Sequence, residues 1–164
     1  MTLSRLIPLL LIAALVSGCS SKFRSYDGPE VTRVVVFKEN RRMYLLHEKE
    51  ALRAFDIELG FEPEGDKEIS GDGKTPEGHY LIDRRNPDST FHLSLGVSYP
   101  SQSDVENAQK LGIDPGGDIF IHGTPSRFAS RGPDWTWGCI AVSNREIEDI
   151  YAMVGLGTVI SIYP

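Results

Sequence analysis

Cysteine is nearly absent from this chain: Cys19 and Cys139 are its only two among 164 residues, and histidine occurs four times. Two cysteines exclude a disulfide-dense secreted scaffold, and they form no CxxC pair. HExxH is also missing, and His47, His79 and His92 stand singly, so no metal site and no cofactor are expected. The run GDGKTPEG sets a lysine among glycines, yet the spacing G-x-x-x-x-G-K-[ST] is absent, which rejects a nucleotide phosphate loop. Positive charge is in deficit: 17 Lys and Arg face 23 Asp and Glu, a net of −6 that argues against nucleic acid as a partner. Long apolar runs are lacking as well, since Leu6 to Val16 falls short of the roughly 20 residues that span a bilayer.

What stands at the N-terminus reads as targeting. Arg5 supplies a positive start, the apolar stretch follows, and Val16-Ser17-Gly18 precedes Cys19. Small residues before a cysteine resemble a bacterial lipobox, which implies cleavage after Gly18 and a lipid on Cys19. An ordinary signal peptide or a retained anchor helix is the competing reading. Ser20 and Ser21 follow, and the absence of Asp at the second position implies sorting to the outer membrane. A multi-chain lipid on one cysteine gives stable anchoring, with the rest of the protein in the periplasm. Residues 1–18 are therefore expected to be signal, 19–30 a lipidated end and polar tether, and 31–164 one domain large enough for a real core.

Periodicity along that domain favours strands. Val31 to Phe37 and Met43 to Leu46 form a likeness of a hairpin about Asn40-Arg41, and Ala51 to Leu59 alternates, although helix formers leave a helix open there. His79 to Asp83 and Phe91 to Val97 are further strands across the turn-rich link RRNPDS, and Asp118 to Ile121 is a short strand ending at His122. Ser101 to Leu111 reads as a helix. Ser143 and Glu146 make a capping box, and Ile147, Ile150, Tyr151 and Val154 keep helical spacing, so Ser143 to Val154 is a second one. Thr158 to Tyr163 closes the chain as a strand. The expectation is a mostly β domain of six or seven strands with two short helices.

Chemistry concentrates between residues 118 and 144. His122-Gly123 and Gly138-Cys139 each sit at the edge of an apolar run. A thiol attacks carbonyls as thiolate, and an imidazole can take its proton. Cys139 lies four residues before the helix cap at Ser143, so the helix dipole is expected to lower its pKa. Gly138 and Gly123 permit close backbone approach, and the Cys139 N–H is a natural oxyanion donor. No Asp, Asn or Glu is placed as a third member, which leaves a backbone carbonyl to orient His122. On pattern alone, a buried inert cysteine with a structural histidine stays open.

IHG at Ile121–Gly123, TWGCI at Thr136–Ile140, GDGKTPEGHYLI and RNPDSTFHLSLGVSYP, in this order, resemble the L,D-transpeptidase (YkuD-type) catalytic domain. The resemblance covers most of residues 31–164. It implies a β-sandwich-like fold acting on peptidoglycan stem peptides, with Cys139 forming a thioester at the diaminopimelate carbonyl and His122 moving protons. Gly138 belongs to the active loop and the oxyanion region. Two positions depart from the commonest family pattern: Trp137 replaces His before Gly-Cys, and Ala141 replaces Arg two residues after it. Both fall on the acceptor side. The resemblance thus admits a transpeptidase, or a hydrolase cutting a diaminopimelate link and releasing a wall-bound lipoprotein. A non-catalytic wall-binding lipoprotein is the remaining class. Arg84, Arg85, Arg127 and Arg131 are candidates for stem-peptide carboxylates, because guanidinium pairs with carboxylate bidentately, and Trp137 is a candidate pocket former.

Overall fold

The computed structural model describes residues 21–164. Cys19 and the expected signal lie outside them. Eight strands build one mixed sheet: β1 (Arg33–Phe37), β2 (Arg42–His47), β3 (Glu50–Asp56), β4 (Gly78–Asn86), β5 (Ser94–Val97), β6 (Phe120–His122), β7 (Ile140–Ala141) and β8 (Val159–Tyr163). Their spatial order is β3-β2-β1-β8-β4-β5-β6-β7, with β1–β8 and β6–β7 parallel and the other pairs antiparallel. β4 joins the two arms. Its first half pairs with β8, its second half with β5, and a register shift between Ile82 and Arg84 marks the handover. A bulge of this kind adds twist, and the sheet curls into a half-barrel.

The curl brings its two edges together. Glu58 and Ala141 exchange backbone bonds of 2.9 and 2.8 Å, and Phe61 N–H donates to the Thr136 carbonyl at 2.9 Å. The chain that leaves β3 thereby covers β7, which would otherwise expose unpaired peptide groups.

Local sequence explains the helices. Ser143 Oγ accepts from Glu146 N at 3.2 Å and Glu146 returns a bond to Ser143 N at 2.9 Å, so the capping box starts α2 (Asn144–Met153). Ser101 and Asp104 do the same for α1 (Gln102–Leu111), and Gly112 ends it in the left-handed region that glycine adopts freely. Ile147 and Ile150 are fully buried where α2 packs on β5 and β6. Each contributes roughly 1.5–3 kcal/mol of apolar burial.

The strand reading of 51–59 holds through Asp56, after which the chain turns to cover β7. Three details differ from expectation. RRN of the supposed link belongs to β4, because Arg84 to Asn86 pair with β5. The following strand starts at Ser94 rather than Phe91, since His92 has φ of 75° and breaks extension. β7 is an eighth strand of two residues, too short to show periodicity. Among the described residues no helix is long and apolar enough to cross a membrane.

Truncating Ile150 to Ala should lower stability by about 2–5 kcal/mol, measured by urea denaturation with an unchanged m-value. A loss below 1 kcal/mol would mean that α2 is not part of the core.

Candidate active site

Strand parity places the two key residues. In the parallel β6–β7 pair, Ile121 stands opposite Ile140 and His122 opposite Ala141. Side chains alternate along strands, so Ile121 and Ile140 share the core face, while His122 and Cys139 share the other as diagonal neighbours. Both line one cleft of about 320 Å³, walled by residues 88–91 of the link, Asn86, Ser94, Asp118 and Phe120.

His122 is only 3% exposed. Its Nδ1–H donates to the Gly123 carbonyl at 2.8 Å, a bond that fixes the tautomer because a carbonyl only accepts. Nε2 is left with its lone pair. Phe91 stacks on the ring at 4.4 Å and Trp135 meets it edge-on at 5.7 Å, with Phe128 stacked on both. This dry sheath pushes the imidazole pKa below its usual value; the bond to Gly123 opposes the shift without cancelling it. Gly123 itself has no room for a side chain, since a Cβ would stand 2.5 Å from Asn144 Oδ1 and 2.9 Å from the Phe91 carbonyl.

Cys139 presents a thiol that donates to the Asp118 carbonyl at 3.6 Å. Burial pushes the thiol up to about 11, the charge of Asp118 adds to that, and the Phe120 backbone opposes it. The expected lowering by the α2 dipole is therefore overturned. Arg85, on the strand face opposite Arg84 and Asn86, donates to the Tyr151 and Val154 carbonyls at the end of α2. The helix thus lies across the face of the sheet that does not carry the thiol.

The loop holding Cys139 is clamped from inside. Thr136, buried, donates through Oγ1 to the Cys139 carbonyl at 2.7 Å and accepts from Gly138 N at 3.2 Å. Gly138 has φ of 114°, and a Cβ there would stand 2.5 Å from the Lys74 carbonyl. At Gly60 a Cβ would overlap the Gly73 carbonyl and stand 2.9 Å from Gly138 N. The glycine-rich passage is thus the backing of this loop. Upstream, Asp134 receives Arg41 through two guanidinium nitrogens, at 3.0 and 2.7 Å, and Leu59 N at 2.9 Å.

A model of the L,D-transpeptidase catalytic domain (YkuD) matches residues 31–162. The chain belongs to the L,D-transpeptidase catalytic-domain family. It is 25% identical to YafK of Escherichia coli (strain K12), which carries the L,D-transpeptidase name, over 97% of this chain and 67% of that one. Pgp2 of Campylobacter jejuni, a helical cell shape determining protein, superposes with a TM-score of 0.64 at 28% identity, covering 84% of this chain and 49% of that one. An L,D-transpeptidase from Mycobacterium smegmatis gives 0.55 at 15% identity, over 82% and 59%, and shares the fold. The chain spans about half the length of the Pgp2 chain.

Within this L,D-transpeptidase domain, His122, Gly138 and Cys139 come together, and the orienting carbonyl is that of Gly123. The arginines do not line the cleft. Arg85 is turned to α2; Arg127 donates to the Thr90 carbonyl at 2.9 Å from the rim; Arg131 lies over Phe128 and Trp135. Trp137 is 68% exposed and meets Phe61 edge-on at 4.9 Å, away from the cleft wall. The cleft's charged lining is acidic, Asp88 and Asp118, with Arg84 at 3.3 Å from Asp118. Thr136 and Phe91 escape sequence reasoning; only the hydroxyl two residues before Gly-Cys hints at the first. Among the described residues no group of three or more His, Cys, Asp or Glu is placed to hold a metal ion.

Alkylation of Cys139 by iodoacetamide, followed by mass spectrometry of its peptide, should accelerate steadily up to a half-point near pH 11. A plateau already reached by pH 7 would show a preformed thiolate instead. Thr136→Val should leave the fold intact and slow turnover about 10-fold or more, by freeing the loop that aims the sulfur.

Proposed function

We propose that this domain is a peptidoglycan acyl-transfer enzyme, an L,D-transpeptidase that attacks the diaminopimelate carbonyl of stem peptides. The observation that carries this reading is one cleft lined by a thiol and by an imidazole whose Nδ1–H is committed to Gly123. The sulfur gives its proton to His122 Nε2 and bonds to the carbonyl carbon, and the Cys139 N–H receives the oxyanion. Collapse leaves a thioester on Cys139, and the departing amine takes the proton from Nε2. An acceptor amine then gives a proton to Nε2, attacks the thioester and restores the thiol. The acidic lining, Asp88 and Asp118, suits the ammonium groups that diaminopimelate peptides carry. On the same reading, lipid on Cys19 holds the domain at the outer membrane, facing the periplasm.

Hydrolysis is the second reading. Ala141 is buried and Trp137 points to solvent, so these two positions offer no charged group to an acceptor. Water then takes the acceptor's place, and the products are a shortened stem peptide and the peptide or lipoprotein it held.

Incubating the full chain with purified wall fragments and reading products by mass spectrometry separates these outcomes. Cross-linked dimers identify the transpeptidase, and release of a free peptide or protein identifies the hydrolase. Absence of both products and of any acyl adduct on Cys139 overturns the enzymatic reading in favour of a wall-binding module. Cys139→Ala should cost about 10³-fold or more in turnover while the protein stays folded. The base must be neutral to act, and burial lowers the pKa of His122, so activity should persist below the usual imidazole value of about 6.5 and vanish on further acidification.

A further inference from the structure

The polar stretch ahead of β1 is fastened to the domain rather than free of it. Lys22 Nζ donates to the Pro87 carbonyl at 2.5 Å and the His92 carbonyl at 3.2 Å, bridging both ends of the link between β4 and β5. Arg24 holds the stretch down on α2. Its Nε and Nη2 reach Glu148 Oε2 at 3.0 and 2.7 Å, and its Nη1 reaches Asp149 at 2.6 Å. Glu148 uses its other oxygen on His92 Nε2, at 2.8 Å, so strap, helix and link meet at one carboxylate. Phe23 lies against Tyr151.

That link is the wall of the cleft. Its Phe91 ring stacks on His122, and its Phe91 carbonyl accepts from Gly123 N at 3.1 Å, the same Gly123 whose carbonyl orients Nδ1. We propose that residues 22–24 are a strap holding the 87–92 wall against His122, with Lys22 as its positioning residue. The inference rests on the catalytic reading of His122 and adds a contributor from outside residues 31–162. Lys22 does not line the cleft and acts only through the wall. The two carbonyls it joins belong to a segment with no regular structure, where His92 takes φ of 75°; a cation bridging them removes the segment's freedom to swing away from the ring.

Loosening the wall exposes His122 to water. Charged groups near the ring are Asp88 from the wall and Asp118 ahead of β6, in the cleft with the Cys139 thiol. Glu58 is bridged to Ala141 beyond it, Arg84 lies on Asp118, and Arg127 and Arg131 stack on the outer aromatic rings. Asp118, Arg84 and Glu58 stand apart from the wall, whereas Asp88 belongs to it and Arg127 is tied to its Thr90 carbonyl. Retreat of Asp88 would lower the His122 pKa and entry of water to the ring would raise it. Hydration of this buried ring is the larger change that a Lys22 substitution makes.

The test uses the full chain in detergent, as Lys22→Met, Lys22→Arg and Arg24→Gln. Two readouts are taken: wall-fragment turnover against pH, and titration of the His122 ring by NMR. Lys22→Met should lower kcat about tenfold with little change in KM, and move both the acid limb and the His122 titration up in pH. Lys22→Arg, which keeps the donors, should restore both, and Arg24→Gln should give a smaller effect of the same sign. An unchanged His122 titration in Lys22→Met, or failure of Lys22→Arg to restore it, overturns the strap. If the unsubstituted chain turns over no wall fragment, the catalytic reading fails by itself, and the titration still decides whether the strap exists.

Discussion

Close approach of bare backbone is the constraint on which the site depends. Gly60, Gly73 and Gly138 meet where no Cβ fits, and the Lys74 carbonyl presses on the Cα of Gly138. This contact joins the passage after β3 to the loop that carries Cys139. It also closes the sheet, because the same passage bonds to Thr136 and Ala141. A side chain at Gly60 or Gly138 would push the Cys139 loop outward and open the covered edge of β7 in the same movement, and one at Gly73 would meet the Phe61 ring. Two buried cations stiffen the passage from within. Lys38 donates to the Gly65 and Thr75 carbonyls and pairs with Glu77 at 2.7 Å; Lys67 pairs with Asp72 at 2.7 Å. Neither lysine is left uncompensated, as burial of charge requires.

The electrostatics describe a neutral pair at rest. Burial pushes the thiol up and the imidazole down, so both shifts favour S–H and neutral ring over the ion pair. On the proposed mechanism, charge appears only when a carbonyl is being attacked and the backbone donors of the loop can receive it. Such a site trades ready reactivity for protection of the Cys139 thiol, since a neutral thiol resists oxidation better than a thiolate. It also explains why the oriented tautomer matters: a ring free to flip would present Nδ1–H to the sulfur and could take no proton.

Local signals in the sequence were strong enough for α2, whose capping box and apolar spacing are written within twelve residues, and for the β-branched run of β1. The His122–Cys139 pair was legible because both residues are rare in this chain and each stands beside a glycine. Arg85 was not. Whether Arg84 or Arg85 faces the cleft is a matter of strand register, which a shift at Ile82–Arg84 resets, and one residue of slip exchanges the two faces. The thiol pKa failed for a related reason. Proximity in sequence to Ser143 says nothing about which face of a sheet the helix crosses. Lys22 was hidden by distance, since its acceptors lie 65 and 70 residues away and its neighbourhood reads as solvated linker.

Trp135 and Trp137 are the only tryptophans in the chain, and both flank the Cys139 loop. One indole is packed under the aromatic sheath of His122, and the other stands in water against Phe61. The intrinsic ultraviolet emission of this protein is therefore a local signal, with a blue component from the sheath and a red one from the loop's outer edge. No other region of the molecule contributes indole light, so acylation, loop opening and wall displacement are each visible without a label.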